Sequence, residues 1–383
     1  MTGKRNFRQR IVHAGVWTIG GHASSQALRL ISNLLMTRLL MPEAFGIMAI
    51  ANTFIIGLAL FSDVGLGQSI VRSKRSEDAA FTNTVWTLQV ARGLLICLAT
   101  LGLAMAVGAA SSSGIFAADS VYSRPELPWI LALLSLSPAI AGLESTNMAL
   151  ASRALNVRLI TYIEISSQLG ALGLMLAWAY LAPSIWVLAV GAIAASTIRT
   201  TLTHLAIPGL ANRFQWHREA VTEVLGYGKW IFLSSILGFV VSNGDKLILG
   251  ALTSASTLGM FSLAYFLITA VQQVFTKLGN SVAFPTFCEV ARERPQDLRE
   301  TYYKFRLPVD VASLLAAGFL FSAGQTVTNF LYDDRYQQVG VLLEIVSISL
   351  FEIRYGMAGQ CFMALGQSKI ITTLIGMRLP III

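Results

Sequence analysis

The stretch LLMTRLLMPEAFGIMAIA, residues 34–51, decides how this chain is read. It is apolar enough for hydrocarbon, yet it carries Arg38 and turns at Met41-Pro42-Glu43. A second passage, LILGALTSASTLGMFSLA at residues 247–264, repeats it without a gap at an offset of 213. Leu34 matches Leu247, Leu39 matches Leu252, Gly46 matches Gly259 and Ala51 matches Ala264. The register extends back to Gly15 and Gly228, to Trp17 and Trp230, and forward to Ile55 and Ile268. Further on, MALASR from Met148 answers MALGQSK from Met363 at an offset of 215. Apolar segments share single identities by chance, but a near-constant offset over more than 200 residues marks a duplication.

Working outward, the composition names the solvent. Of 383 residues, 55% are hydrophobic and 13% charged, where a soluble domain carries about 25% charged residues. Such a chain cannot cover itself with polar groups. Apolar runs of about 20 residues cross a bilayer as helices because every backbone group is then satisfied internally. Eleven runs meet that description, and strand signatures are absent. Six fall in 1–213, at 12–40, 43–70, 84–108, 128–150, 158–181 and 184–206. Five fall in 214–383, at 226–252, 257–283, 306–330, 337–363 and 367–383.

An offset of 213 contains an even number of runs, so both copies enter the membrane in the same direction. The expected fold is therefore an all-α polytopic membrane helix bundle of two parallel repeats, an N-terminal and a C-terminal lobe around a central cavity. Residue 383 corresponds to about residue 170 of the first copy, so the second lobe is expected to be incomplete. The basic start MTGKRNFRQR precedes a long segment dotted with polar residues, which is not the pattern of a cleaved leader.

Lysine and arginine set the orientation. Seventeen lie at the N-terminus and in the loops on its side, against Arg124 and Arg335 on the other. The N-terminus is thus expected in the cytoplasm, and the net charge of +8 is a fringe facing anionic lipid. Spread over six short segments, it does not make a nucleic-acid surface.

The first run places His22, Gln26, Arg29 and Asn33 at steps of 4, 3 and 4, on one helix face. The seventh places Ser235, Ser242 and Lys246 on one face. Subtracting 213 turns these into positions 22, 29 and 33, so the duplication preserves a polar seam. In the eighth run Tyr265, Thr269, Gln272 and Thr276 form a further stripe. A charge at the bilayer centre costs about 2.5–3.5 kcal/mol on insertion scales. Arg29 and Lys246 should therefore face a hydrated cavity or pair with an acid such as Asp63, Asp245, Glu144 or Glu164. The neutral seam residues serve equally as helix-to-helix hydrogen-bonding groups. Arg38, Arg199, Lys229 and Lys277 lie near span ends and are expected to snorkel. Arg92 and Arg378 lie deeper, and the sequence gives neither a role.

Chemistry is sparse. Cys97, Cys288 and Cys361 are far apart and read as small buried hydrophobes. The four histidines form no metal-binding pair, so no metal is expected. There is no phosphate-binding loop of the Walker type and no dinucleotide fingerprint. The longest outer loop, about 109–127, offers only Asp119 and Glu126 as acids. An enzyme of sugar-lipid assembly would typically need more than this, so the expectation is a transporter and not an enzyme, with such an enzyme kept as a minor alternative.

TRLLMPEAFGIMAIA, followed by FSDVGLGQSIVR, resembles the N-terminal signature of bacterial polysaccharide repeat-unit flippases, the Wzx type. NGDKLILGALTSASTLGMFSLAY resembles the passage between spans seven and eight in that family. The wider superfamily holds multidrug and toxin extrusion antiporters and lipid II flippases. The resemblance implies an inner-membrane flippase that moves an undecaprenyl-pyrophosphate-linked oligosaccharide outward for O-antigen or exopolysaccharide synthesis. Polysaccharide polymerase and chain-length proteins would be its neighbours. It also implies cationic cavity residues that meet the anionic head group, a role falling here to Arg29 and Lys246. No cofactor is implied, but coupling to a proton or sodium gradient is, with Asp63 and Asp245 as the candidates. An ion-coupled multidrug antiporter is the alternative; a cationic drug would favour acids where this chain places Arg29 and Lys246.

Overall fold

The computed structural model describes residues 2–63, 65–73, 75, 78–154, 156–209 and 211–365. Within its helices, the side chains of residues 2–16, 18, 19, 72, 225–234, 237, 241 and 281 are not described. The expected span at 367–383 lies outside the described residues, as does Arg378.

Among the described residues the protein is helical, with one isolated antiparallel bridge, Ser120 to Ser254, and no strand. The helices are α1 (Thr2–Leu39), α2 (Pro42–Phe61), α3 (Leu66–Arg72), α4 (Ala79–Ser112), α5 (Glu126–Leu134), α6 (Leu136–Gly142), α7 (Asn147–Arg153), α8 (Val157–Leu181) and α9 (Trp186–Leu205). They continue as α10 (Arg218–Leu252), α11 (Ala255–Leu278), α12 (Phe284–Glu293), α13 (Leu298–Leu331), α14 (Gln338–Ser347) and α15 (Ile353–Ala364). Among the described residues, six stretches are long and apolar enough to cross a membrane: α2, α4, α8, α9, α11 and Pro295–Leu331, which contains α13. The pair Glu126–Gly142 and Asn147–Arg153, bent by 61°, makes a seventh if counted as one span.

The surface states its solvent. On α4, Leu94, Leu98, Leu101 and Met105 recur at helical spacing and are exposed, Met105 by 72%. On α13, Leu307, Val311, Leu315 and Phe319 do the same. Continuous apolar stripes of this length are foreign to a water-facing surface and ordinary for one facing lipid tails. The opposite face of α4, with Val90, Gly93, Ile96, Thr100, Ala104 and Val107, is the buried one.

Two compact units result. The first runs to Leu40 and resumes from Ile47 to Ala255; the second takes Met41–Gly46 and the described chain from Ser256 onward. Helix α10, which opens the second sequence repeat, thus packs within the first unit. In that unit Leu66, Ile70, Phe81, Val85, Ala220 and Val224 join α3, α4 and the start of α10 in one buried cluster. In the second unit, Ala283, Phe287, Val309 and Met357 form the corresponding core.

Several expected spans are interrupted, and at matching places in the two repeats. The run at 43–70 is not one helix: α2 stops at Phe61 and α3 starts at Leu66. Its counterpart α11 passes into one π-helical turn, Gly279–Ala283, beginning 213 residues after Leu66. The run at 128–150 divides into α5, α6 and α7, and its counterpart divides into α14, a 3-10 stretch Ile348–Glu352, and α15. Breaks inside membrane helices occur where the freed backbone finds protein partners or lines a cavity.

Candidate functional site

The breaks gather polar groups inside the first unit. At the end of α2, Ser62 Oγ donates back to Leu58 O at 2.9 Å, and Asp63 Oδ1 accepts from Gly65 N at 3.0 Å. Gly65 has φ 66, a left-handed conformation that glycine adopts without a steric penalty. Arg92 reaches across from α4. It donates to Ala59 O at 2.7 Å and Ser62 Oγ at 3.1 Å, and stands 3.8 Å from Asp63 Oδ1. Its guanidinium therefore caps the carbonyl end of α2, where the helix dipole is negative.

The broken fourth span is repaired in a similar way. Gln89 Nε2 donates to Gly142 O at 3.1 Å and Glu144 O at 2.9 Å. Thr200 donates to Ile140 O at 3.2 Å, and Ser196 to Ser137 O at 3.1 Å. His204 Nε2 lies 2.8 Å from Leu143 O. Close approach makes this geometry possible: a Cβ on Gly93 would sit 2.6 Å from Pro138 O. Arg199, on α9, bridges Glu144 at 3.4 Å and Glu164 at 3.9 Å.

These groups line a cavity of about 920 Å³ that includes Asp63, Gln89, Arg92, Glu144, Glu164, Ser196 and Arg199. The three acids outnumber the two arginines, so the lining carries a formal charge of −1. The sequence offered Asp63, Glu144 and Glu164 as partners for Arg29 or Lys246; the structure gives them to Arg92 and Arg199 instead. Arg199 is held between two carboxylates, where snorkelling was expected. Arg92, left without a role by the sequence, is the keystone of the first break. The signal that could have found it was the neighbouring Ser62-Asp63-Val64-Gly65, a turn sequence inside an apolar run.

The predicted seam lies elsewhere in the same unit. On α1, Trp17, Gly21 and Ser25 face α8: Trp17 meets Tyr162 at 5.6 Å, Gly21 abuts Thr161, and Gln168 Nε2 donates to Ser25 Oγ at 2.7 Å. Helical geometry sets His22, Gln26, Arg29 and Asn33 roughly 110° around from that face. Arg29 is exposed and makes no ion pair or hydrogen bond among the described residues. Asn33 Oδ1 is shielded from solvent without a hydrogen-bond partner among the described residues. On α10, Ser242 is exposed, while Ser235, Asp245 and Lys246 are half-buried. Asp245 Oδ1 accepts from Lys246 N at 2.8 Å.

The second unit has its own charged centre. Arg306 Nε donates to Asp310 Oδ2 at 3.1 Å and its Nη1 to Tyr302 Oη at 3.2 Å, and Arg354 lies 3.8 Å from Asp310 Oδ1. Arg306 follows Arg92 by 214 residues, so each repeat puts a paired arginine at the same place on its third span.

A helical bundle clad in exposed apolar stripes, with broken spans and interior ion pairs, defines a polytopic membrane protein of the transporter kind. The polysaccharide biosynthesis protein family matches over residues 35–340, and the chain belongs to it. Relatives include the lipopolysaccharide biosynthesis protein WzxC of Escherichia coli (strain K12), 21% identical over 348 residues, covering 90% of this chain and 67% of that protein. The succinoglycan biosynthesis transport protein ExoT of Rhizobium meliloti (strain 1021) is 23% identical over 308 residues, 80% of this chain and 58% of ExoT. The teichuronic acid biosynthesis protein TuaB of Bacillus subtilis (strain 168) is 20% identical over 316 residues, 80% of this chain and 62% of TuaB. The chain thus spans about three fifths to two thirds of these relatives' lengths. In fold it is similar to an inward-facing multidrug resistance MATE transporter of the MOP superfamily, with TM-score 0.67 and 13% identity over 90% of this chain and 82% of that one. The eukaryotic MATE transporter AtDTX14 follows at TM-score 0.59 and 14% identity over 94% of this chain and 84% of its own.

Proposed function

We propose that the protein is a flippase carrying a lipid-linked oligosaccharide, on an undecaprenyl-pyrophosphate carrier, from the cytoplasmic to the outer leaflet of a bacterial inner membrane. One observation carries the choice of cargo charge. Arg92, Arg199, Arg306 and Arg354 all sit against carboxylates, whereas Arg29, in mid-helix, has no such partner among the described residues. An unneutralised cation inside a span is costly unless it meets water or an anion. Family membership and the names of the relatives support the same reading.

The physical task is large. Each unpaired polar group moved into hydrocarbon costs several kcal/mol. A barrier of only ~25 kcal/mol already limits spontaneous crossing to about 10⁻⁶ per second. No covalent step is required, only a wet path for the head group while the polyprenyl tail stays in lipid. The seam of α1 and α10 is the proposed path. Arg29 would engage phosphate oxygens through its planar fork, and Lys246 would act as a point charge. A proton or sodium gradient would drive the cycle, with Asp63 and Asp245 as the coupling candidates; Asp63 is already engaged by Arg92 and Gly65 N. The lysine and arginine asymmetry supports a cytoplasmic N-terminus.

Arg29→Ala and Lys246→Ala should each cut surface polysaccharide at least about tenfold while the protein's level in the membrane is kept. Normal polysaccharide in both variants would remove these residues from the mechanism. Efflux of a cationic dye, absent on this reading, would instead favour a multidrug antiporter.

A further inference from the structure

The segment that joins the two sequence repeats leaves α9 at Leu205 and enters α10 at Arg218, within the first unit. From Asn212 onward it is fastened down. Asn212 accepts from Ser145 Oγ at 2.8 Å and donates to Thr146 Oγ1 at 2.6 Å. Beyond it, every second backbone N–H finds an acceptor on α4. Arg213 N donates to Asn83 Oδ1 at 3.1 Å, Gln215 N to Thr87 Oγ1 at 3.1 Å and His217 N to Thr84 Oγ1 at 3.2 Å. Asn83 Nδ2 donates in return to Gln215 Oε1 at 3.1 Å. Asn83 and Thr84 are buried, Thr84 completely. A period of two is that of extended chain, and His217 has φ −115 and ψ 115.

The fastened backbone displays large side chains outward. Phe214 is 68% exposed and Trp216 63%. Phe214 leans on Trp86 at 4.8 Å, while Trp216 meets no ring and no hydrogen-bond partner among the described residues. Arg213 and Arg218 are exposed, and neither side chain makes an ion pair or hydrogen bond among the described residues. The acids that follow face other groups: Glu219 lies 3.7 Å from Arg75, and Glu223 accepts from Ser73 Oγ at 2.9 Å. The depth of the segment follows from α4. That helix has 34 residues, about 50 Å of rise against a hydrocarbon layer of about 30 Å. Its exposed apolar stripe runs from Leu94 to Met105. Centring the layer on that stripe puts one edge at about residue 90, with Asn83, Thr84 and Thr87 about 4–10 Å beyond it, at the depth of lipid head groups.

We propose that residues 213–218 are a binding site for anionic phospholipid: Phe214 and Trp216 enter the glycerol layer, and Arg213 and Arg218 bind lipid phosphates. An aromatic ring with one polar edge is at home at the membrane–water interface and unfavourable when held in water. The planar fork of arginine matches a phosphate, and basic residues beside a span are drawn to an anionic leaflet. The stretch RFQWHR holds two arginines and no acid, so its charge is not cancelled from within. Because α4 already fixes the backbone, little ordering remains to oppose binding. The buried Asn83 and Thr84 on α4 thereby gain a purpose: they hold the segment in the pose that meets lipid. The site rests on the chain being a membrane protein, and the charge asymmetry supplies only the leaflet, the cytoplasmic one.

Brominated lipids test the site, because bromine quenches tryptophan fluorescence on contact. The full chain is reconstituted in phosphatidylcholine vesicles with increasing brominated phosphatidylglycerol or brominated phosphatidylcholine. The Trp216 signal is the difference between the protein and its Trp216→Phe variant. Half-quenching should need about tenfold less phosphatidylglycerol than phosphatidylcholine. Arg213→Gln with Arg218→Gln should remove that preference and keep the quenching, since the rings stay in the interface. Both arginine side chains are exposed and unpaired among the described residues, so the fold does not depend on them. Equal quenching by the two lipids in the unchanged protein, or quenching by neither, overturns the site. So does a preference that excess inorganic phosphate abolishes at constant ionic strength, which would assign the arginines to a soluble anion. No lipid-linked oligosaccharide is present in any arm. A lost preference therefore leaves the flippase reading standing, and a preference kept by a protein that never exports polysaccharide sustains the lipid site and defeats that reading.

Discussion

At the scale of single residues, Arg92, Arg199, Arg306 and Arg354 are paired with carboxylates, whereas Arg29 has no ion pair among the described residues. Arg92 is of the first kind. Arg92→Ala would strand Asp63 and the carbonyl of Ala59, and should destabilise the protein by about 2–3 kcal/mol. Thermal unfolding in detergent should show a lowered Tm, and Arg92→Lys should recover less than half of the loss because the fork geometry is gone. Arg29→Ala, by contrast, should leave Tm unchanged and act on export alone. The sequence proposes Arg29 through periodicity, since the seam of His22, Gln26, Arg29 and Asn33 is a property of spacing. It could not make Arg92 or Arg199 legible. Their partners lie about 30–55 residues away, on other helices, and only packing decides which acid each one meets.

At the scale of elements, hydropathy reports composition and not continuity. The runs 43–70 and 128–150 read as single spans because their breaks cost little apolar character. Yet Ser62-Asp63 and Leu143-Glu144-Ser145-Thr146 carry the side chains that end and restart helices. The fourth-span break depends on a donor from outside it. Gln89→Leu, close in volume, should leave the carbonyls of Gly142 and Glu144 unpaired. The expected cost is about 2 kcal/mol or more, read as lower Tm and as faster proteolysis near residues 143–146. Gly259→Ala attacks a different joint. Its Cβ would lie 1.9 Å from Pro42 O, and backbone cannot yield as a side-chain tip can. Destabilisation of at least about 3 kcal/mol is expected, measured as loss of folded protein from the membrane. Gly318→Ala, where a Cβ meets nothing within 4 Å, is the matched control.

At the scale of the whole molecule, the sequence offset of 213 recurs in the positions of breaks: α3 begins at Leu66 and the π-helical turn at Gly279. What the offset does not carry is which repeat a segment packs with. Residues 41–46 belong by sequence to the first repeat and by packing to the second unit, where Phe45 meets Tyr336 and Pro42 O lies against Gly259. Orientation is the remaining global property, and charge supplies the expectation for it. With seventeen lysines and arginines against two, and each cationic residue at the bilayer centre costing about 2.5–3.5 kcal/mol on insertion scales, an inverted bundle would have to carry the richer side across. A cysteine at Ser113, in the loop after α4, should therefore react with an impermeant maleimide on intact cells. A cysteine at Gln296, in the turn between α12 and α13, should react only after permeabilisation. Both should be placed in the background lacking Cys97, Cys288 and Cys361. The opposite pattern would invert the molecule and require the seam around Arg29 to open first toward the outside.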